Sequence, residues 1–138
     1  MKNLFYDRYF ESIYGGLKDA LYVLNSESVS LERFFNKIKI VLSVLKEQKN
    51  KISFFGNGAS AAFANHMALD FSKNGKILSK FLSDSALLTA LSNDYSFDDA
   101  FVEFLKIKGV TKNDLIITIS SSGNSSNIIK VLEYCESN

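Results

Sequence analysis

Apolar residues recur with the period of an α-helix along the first part of the chain. From about Leu4 to Leu24 they fall at every third or fourth position, which predicts a long amphipathic helix. A second stripe, from about Leu31 to Gln48, predicts another helix, and the polar residues 25–28 between them indicate a turn. We therefore predict an N-terminal helical hairpin over residues 1–50. Its apolar face must be buried, against the later part of the fold and against a partner subunit.

After Lys51 the pattern changes to short apolar segments that alternate with helix-like segments. The predicted strands are Ile52–Phe55, Ile77–Leu82 and Leu115–Ile119. The predicted helices span residues 60–73, 86–91, 97–108 and 125–135, with stop signals at Asn74-Gly75 and Gly109. Strands separated by helices favour parallel pairing through right-handed crossovers. We predict an α/β fold: one domain over 1–138, whose residues 51–138 form a three-layer αβα sandwich with a parallel sheet.

The composition indicates a single packed domain and argues against nucleic-acid and membrane partners. The 138 residues suffice for one domain, and 46% of them are hydrophobic, which indicates a packed core. Sixteen basic and fifteen acidic side chains give a net charge of +1 without a dense basic block, so we expect no nucleic-acid partner. No apolar run approaches the roughly 20 residues that span a bilayer, and we expect no membrane partner. The single cysteine, Cys135, excludes an internal disulfide and fits a cytoplasmic location.

Two turns carry the candidate binding chemistry. Gly56-Asn57-Gly58-Ala59-Ser60 lies between a predicted strand and a predicted helix, where free N–H groups and the helix dipole favour an anion. Ser120–Ser125 repeats this arrangement with Ser120, Ser121, Ser122 and Ser125 around one glycine. Both turns follow parallel strands, at the sheet edge where α/β proteins collect ligands. We interpret them as one site for a small anionic ligand, with a flexible loop that binds nothing as the alternative.

The glycine turn does not match the common nucleotide motifs. The dinucleotide fingerprint needs a third glycine at a fixed spacing, and the P-loop needs Gly-Lys-Ser or Gly-Lys-Thr. A nucleotide enzyme is therefore disfavoured.

His66 and Asp70 lie four residues apart on the same face of the predicted helix. The functional hypothesis makes Asp70 a general base and His66 a metal ligand or an orienting partner. The alternative is a surface pair worth a few tenths of a kcal/mol. Two ligands alone do not complete a zinc site.

Four segments together resemble the sugar isomerase (SIS) domain, and within it the phosphoheptose isomerases. They are Gly56–Ser60, His66 with Asp70, Leu88–Tyr95 and Ile119–Ser125, in the family's order and spacing. The resemblance implies a flavodoxin-like parallel sheet flanked by helices and a homotetramer built partly on the N-terminal helices. It further implies isomerisation of sedoheptulose 7-phosphate to a heptose 7-phosphate, an aldose–ketose conversion through an enediol.

The resemblance also implies roles for individual residues. Asn57, Gly58, Ala59 and Ser60 would line the first substrate turn, and Asn93 and Asp94 would contact the sugar. Ser120, Ser121, Ser122 and Ser125 would hold the phosphate. His66 and Asp70 would bind zinc, with Asp70 also acting as the catalytic base.

Two departures from the family pattern support a second hypothesis. Phosphoheptose isomerases typically carry Glu at the position of Asp70, which places the carboxylate one C–C bond further from the helix. The family also continues into a Gln-x-x-x-His segment with further metal ligands and a catalytic histidine, and the resemblance implies that the 138 residues lack this part. The alternative function is a non-catalytic SIS module that binds a sugar phosphate or a protein partner. A third possibility is an inactive truncated product.

Overall fold

The computed structural model describes residues 4–138, so residues 1–3 of the predicted hairpin lie outside the described part. The chain divides into two compact units, with the division in sequence between Val41 and Leu42.

The region from Leu4 to Leu24, predicted as one helix, contains a helix followed by a strand. Helix α1 spans Leu4–Lys18, and strands β1 (Tyr22–Leu24) and β2 (Glu27–Val29) follow as an antiparallel hairpin. The prediction of one helix as far as Leu24 is wrong. Asn25 and Ser26 adopt positive φ values of 49° and 68°, which form the tight two-residue turn that joins twisted antiparallel strands.

Helix α2 spans Leu31–Glu47, as the apolar stripe predicts. It begins where the Oγ of Ser30 accepts a hydrogen bond from the N–H of Arg33 at 3.2 Å, which satisfies one of the free donors of the first turn. In contrast, no residue of α1 is buried. Its apolar side chains, among them Phe5, Phe10 and Leu17, are exposed. The predicted burial of this stripe against a partner subunit stays a prediction.

The second unit is built on a three-stranded parallel sheet, which confirms the predicted fold class. Strands β3 (Lys51–Gly56), β4 (Leu78–Phe81) and β5 (Leu115–Ile119) are arranged in the order β4-β3-β5. The central strand is fully buried from Ile52 to Gly56, because helices cover both faces of the sheet. The remaining helices are α3 (Ala59–Lys73), α4 (Ser85–Asp94), α5 (Ala100–Ile107) and α6 (Ser126–Ser137).

Adjacent side chains of β3 define the three layers. Phe54 contacts Phe71 of α3 with ring centroids 5.5 Å apart, on one face of the sheet. Phe55 points to the opposite face, where its ring lies 5.0 Å from Phe101 and 6.1 Å from Phe104 of α5. A buried cluster on this second face also includes Leu91 of α4 and Ile128 and Val131 of α6. The two faces of one strand therefore hold the helices of both outer layers.

Several element boundaries of the second unit differ from the sequence prediction. Helix α4 continues to Asp94, into the segment predicted as a polar break, and its last turn is closed by the N–H of Tyr95, which donates to the Leu91 carbonyl at 3.0 Å. Helix α5 begins at Ala100 instead of Phe97. After α3 the left-handed residue is Lys76, with φ 58°, and not Gly75. Among residues 4–138, no helix combines the length and the apolar character needed to cross a bilayer.

Candidate functional site

The two turns predicted from the sequence begin at the same edge of the sheet. In the parallel register of β3 and β5, Gly56 lies opposite Ile119. Asn57 and Ser120 are therefore the next residues on adjacent strands, both at the carboxyl end. This is the position at which open parallel sheets present ligand-binding loops.

The glycine turn requires its two glycines for different reasons, lack of space for a side chain at one and backbone conformation at the other. A Cβ on Gly56 would lie 2.7 Å from the backbone carbonyl of Ser60, so the first turn of α3 closes directly on this residue. Gly58 precedes α3 with φ 55° and ψ −123°, a conformation that glycine alone adopts without strain. The N–H of Ser60 donates to the Asn57 carbonyl at 3.0 Å. No side chain of the described residues caps this helix start.

The serine turn is held by its own hydroxyl groups. The Oγ of Ser120 accepts from the N–H of Gly123 at 3.1 Å, and the Oγ of Ser122 accepts from the N–H of Asn124 at 3.2 Å. Gly123 has φ 67°, in the left-handed region. Because these hydroxyl oxygens act as acceptors inside the turn, their O–H groups stay available as donors. The geometry therefore provides neutral donors for an anion.

The serine turn ends at the start of α6. Ser125 precedes this helix, and its carbonyl accepts from the N–H groups of Ile128 and Ile129 at 2.9 and 3.0 Å. Its hydroxyl makes no capping hydrogen bond with the described residues. The positive end of the α6 dipole therefore lies beside the four serines.

A reciprocal amide pair joins the two turns. The Nδ2 of Asn57 donates to Oδ1 of Asn127 at 2.9 Å, and the Nδ2 of Asn127 donates to Oδ1 of Asn57 at 3.0 Å. Asn127 lies in the first turn of α6 and is 2% exposed. Sequence reasoning missed Asn127, since a single asparagine near a helix start carries no pattern that points to a partner 70 positions away.

His66 and Asp70 lie on α3, away from its first turn. The Nε2 of His66 is 3.3 Å from Oδ2 of Asp70, and their side chains are 68% and 43% exposed. The other carboxylate oxygen of Asp70 accepts from Nδ2 of Asn74 at 3.3 Å. His66 lines a shallow surface depression together with Ser79 and Phe81 of β4. The pair is thus on the solvent-facing side of α3 near one edge strand.

The structure does not bring this pair together with the serine turn. At about 1.5 Å per residue, His66 is about 10 Å and Asp70 about 16 Å along α3 from Ala59. The depression beside His66 borders β4, whereas the serine turn follows β5 at the opposite edge of the sheet. The glycine turn lies between them, at the end of the central strand.

The spacing of the His66–Asp70 pair matches that of two ligands of one zinc ion. Two ligands about 2.0–2.1 Å from a tetrahedral zinc ion are about 3.3 Å apart, and the observed 3.3 Å fits this spacing. Within residues 4–138, however, no group of three or more His, Cys, Asp or Glu side chains is placed to hold a metal. The described residues therefore offer at most two of the ligands that a zinc site needs.

Asn93 and Asp94 lie at the end of α4, where Nδ2 of Asn93 donates to the Asp94 carboxylate at 3.1 Å. No hydrogen bond among the described residues joins either side chain to the two turns.

The loop after Asn93 and Asp94 is nevertheless tied to α6. Asp99 accepts from the Ser96 hydroxyl at 2.6 Å and from Nζ of Lys130 at 2.5 Å. The hydrogen bond from Lys130 lowers the pKa of Asp99, and the same bond raises the pKa of Lys130.

Comparison with known sequences decides the family. The sequence model described as SIS domain matches residues 25–138, most of the chain. The chain belongs to the SIS domain family. The resemblance read from the four sequence segments is confirmed, and the sheet with its two turns is the SIS fold of this chain.

Similar curated proteins include phosphoheptose isomerases. Phosphoheptose isomerase 2 of Campylobacter jejuni is 41% identical over 69% of this chain and 51% of its own length. The phosphoheptose isomerase of Aneurinibacillus thermoaerophilus is 43% identical over 63% of the chain and 46% of its own length. The chain thus spans about half the length of these relatives.

Solved structures agree with this grouping. Phosphoheptose isomerase GmhA from Neisseria gonorrhoeae superposes with a TM-score of 0.76 at 29% identity, over 99% of this chain and 70% of that one. A phosphoheptose isomerase from Francisella tularensis gives a TM-score of 0.74 at 25% identity, over 99% and 71% of the two chains.

Proposed function

We propose that this chain carries the substrate-binding part of a phosphosugar isomerase of the phosphoheptose isomerase type, which converts sedoheptulose 7-phosphate to a heptose 7-phosphate. The observation that carries the proposal is the pairing of Gly56 with Ile119, since it puts the glycine turn and the serine turn side by side. The similarity to phosphoheptose isomerases over most of the chain supports the same substrate class.

The serine turn suits the phosphate end of such a substrate. Ser120, Ser121, Ser122 and Ser125 supply hydroxyl donors, and the start of α6 adds free N–H groups and its dipole. These donors carry no net charge, so they bind a dianion without the cost of removing a cation from water. In this proposal Asn57, Gly58, Ala59 and Ser60 line the neighbouring wall, and Asn93 and Asp94 contact the sugar hydroxyls.

Asp70 is the proposed catalytic base. Aldose–ketose isomerisation moves a proton between C1 and C2 of the sugar, which requires a positioned base. In a heptose 7-phosphate these carbons lie at the opposite end of the molecule from the phosphate. The separation of Asp70 from the serine turn along α3 is consistent with that arrangement. The neighbouring Asn74 amide holds one carboxylate oxygen at 3.3 Å and leaves the other toward His66.

A zinc ion would be held in part by two residues of this chain. His66 and Asp70 fit two ligand positions of a zinc ion, and a complete site needs at least one more protein ligand.

The proposed assembly is a cytoplasmic homo-oligomer, a tetramer by analogy with the family. It is supported by the apolar side chains of α1, which are exposed in the single chain. Phe5, Tyr9 and Phe10 on this helix are 71%, 55% and 65% exposed, which is typical of a surface that a partner covers.

A direct assay follows proton transfer by NMR. Sedoheptulose 7-phosphate incubated with the protein in D₂O should gain deuterium at C1 and yield an aldose 7-phosphate. Dephosphorylated sedoheptulose is the matched substrate control and should react far more slowly. An absence of both exchange and product at millimolar substrate, with the protein folded, would contradict the isomerase function.

The second candidate is a non-catalytic SIS module that binds a sugar phosphate or a protein partner. It is favoured by the exposed His66–Asp70 pair and by the lack of a third ligand within residues 4–138. It predicts saturable stabilisation of the fold by sedoheptulose 7-phosphate with no deuterium exchange. Activity in the NMR assay would exclude it.

A further inference from the structure

We infer that Asn127 is a positioning residue, which sets the spacing between the glycine turn and the serine turn and thereby the affinity for ligands that span both. This inference rests on the proposed function, because it concerns the same site. Asn127 itself does not contact the ligand in this account; it acts through Asn57.

The Asn127 member of the amide pair is buried away from water. Asn127 is 2% exposed and, with Ser53, is one of the two fully buried polar side chains among the described residues. A buried amide without partners is costly, so the native state strongly prefers the conformation in which both hydrogen bonds form. The two bonds with Asn57, at 2.9 and 3.0 Å, meet that requirement.

The amide pair connects the glycine turn to the helix that follows the serine turn. Asn57 is the first residue after β3, and Asn127 lies two residues after Ser125. In the sheet, the last paired residues before the two turns are Gly56 and Ile119. A reciprocal amide pair fixes both the distance and the relative orientation of the two groups, since each amide must donate to and accept from the other.

The bonds with Asn127 use only part of the hydrogen-bonding capacity of the Asn57 amide. One N–H and one lone pair of its amide are committed to Asn127, and the side chain is only half-buried. The second N–H and the second lone pair face in other directions and stay available to a ligand. Asn127 thus selects which atoms of Asn57 a sugar can reach, which is a specificity function and not only a stabilising one.

The test compares two ligands on two variants of the 138-residue chain. Asn127→Leu removes both hydrogen bonds at similar volume, and Asn127→Ser replaces it if the leucine variant fails to fold. The control is Ile128→Ala, a neighbouring α6 core residue that is 2% exposed and contacts neither turn through a polar group. Isothermal calorimetry measures sedoheptulose 7-phosphate, which spans both turns, and inorganic phosphate, which occupies the serine turn alone.

The expected result is a split between the two ligands. Loss of preorganisation should weaken sedoheptulose 7-phosphate binding roughly tenfold or more in Asn127→Leu, while inorganic phosphate binding stays within about threefold of wild type. Ile128→Ala should leave both affinities nearly unchanged, even if it lowers the melting temperature as much as Asn127→Leu does.

Other results overturn the inference in distinguishable ways. If the leucine and alanine variants lose sedoheptulose 7-phosphate affinity equally, Asn127 has only a structural role. If Asn127→Leu weakens both ligands to the same extent, it shapes the serine turn and not the spacing. If wild type binds neither ligand, the proposed function fails and the inference fails with it.

Discussion

Gly56 and Ser60 are so close that a Cβ on the glycine would lie 2.7 Å from the backbone carbonyl atoms of the serine. The obstacle is backbone and not a movable side chain, so it is resolved only by shifting the start of α3. Since Gly56 ends the central strand, this contact sets where the helix that carries His66 and Asp70 begins.

Gly56→Ala should therefore destabilise the fold by about 1–3 kcal/mol, in the range of other overpacking substitutions. Urea denaturation measures the change in the free energy of unfolding. Gly16→Ala is the matched control, because a Cβ there meets nothing within 4 Å and alanine favours the α1 helix. A free energy of unfolding for Gly56→Ala within about 0.5 kcal/mol of wild type would show that the turn is more adaptable than this contact implies.

Asp70→Asn tests the proposed base. The amide keeps the shape of the side chain but cannot accept a proton, so we expect turnover to fall by about 10²-fold or more while ligand binding persists. NMR exchange in D₂O measures turnover, and calorimetry measures binding. Asp98→Asn, at an exposed acid outside both turns, should be neutral. Equal exchange rates in Asp70→Asn and wild type would remove Asp70 from the mechanism.

We predict that the Ser53 hydroxyl lowers the stability of the fold. Its Oγ is buried in β3 and has no hydrogen-bond partner within residues 4–138. Because an unpaired buried hydroxyl costs about 1–3 kcal/mol, Ser53→Ala should raise the free energy of unfolding by about 1 kcal/mol. Ser79→Ala in the neighbouring strand is the control, since that hydroxyl donates to the Ile77 carbonyl at 3.1 Å. Melting temperatures that change in the same direction in both variants would contradict this explanation.

The Asp99–Lys130 ion pair should make the free energy of unfolding fall as the pH is lowered. The hydrogen bond from Lys130 lowers the pKa of folded Asp99, so the pair contributes fully above the ordinary Asp pKa of about 3.9. Its contribution is lost as the pH falls through the lower pKa of the folded state.

Asp99→Asn should therefore be less stable than wild type at pH 7, and the difference should shrink as the pH falls below about 4. Urea titrations at a series of pH values measure both proteins. Asp98→Asn controls for the loss of one negative charge in the same loop. A difference that is constant from pH 7 to pH 3 would mean that the ion pair adds nothing to stability.

The sequence predicted those features that local patterns encode. The apolar segment Ile52–Phe55 and the helices that alternate with the strands were sufficient to predict a parallel sheet. That prediction also placed the turns after β3 and β5 at one edge of the sheet. The predicted site residues at those turns therefore lie where the topology requires.

The features that sequence reasoning missed depend on backbone conformation or on distant partners. The hairpin at Asn25 and Ser26 needs two consecutive positive φ values, which neither residue signals as strongly as glycine does. After α3 the glycine is required for space, since a Cβ on Gly75 would lie 2.6 Å from the Phe71 carbonyl, and the left-handed conformation falls on the next residue, Lys76. The role of Asn127 follows only from the register of β3 and β5, which no local pattern contains.

The most direct test of the central claim is an NMR titration of the ¹⁵N-labelled chain with sedoheptulose 7-phosphate. If the two turns form one phosphosugar site, the backbone amides of Gly58 and Ala59 and those of Ser121–Gly123 should shift together, with a single dissociation constant. Shifts confined to one turn, or none at either turn at saturating ligand, would contradict the account.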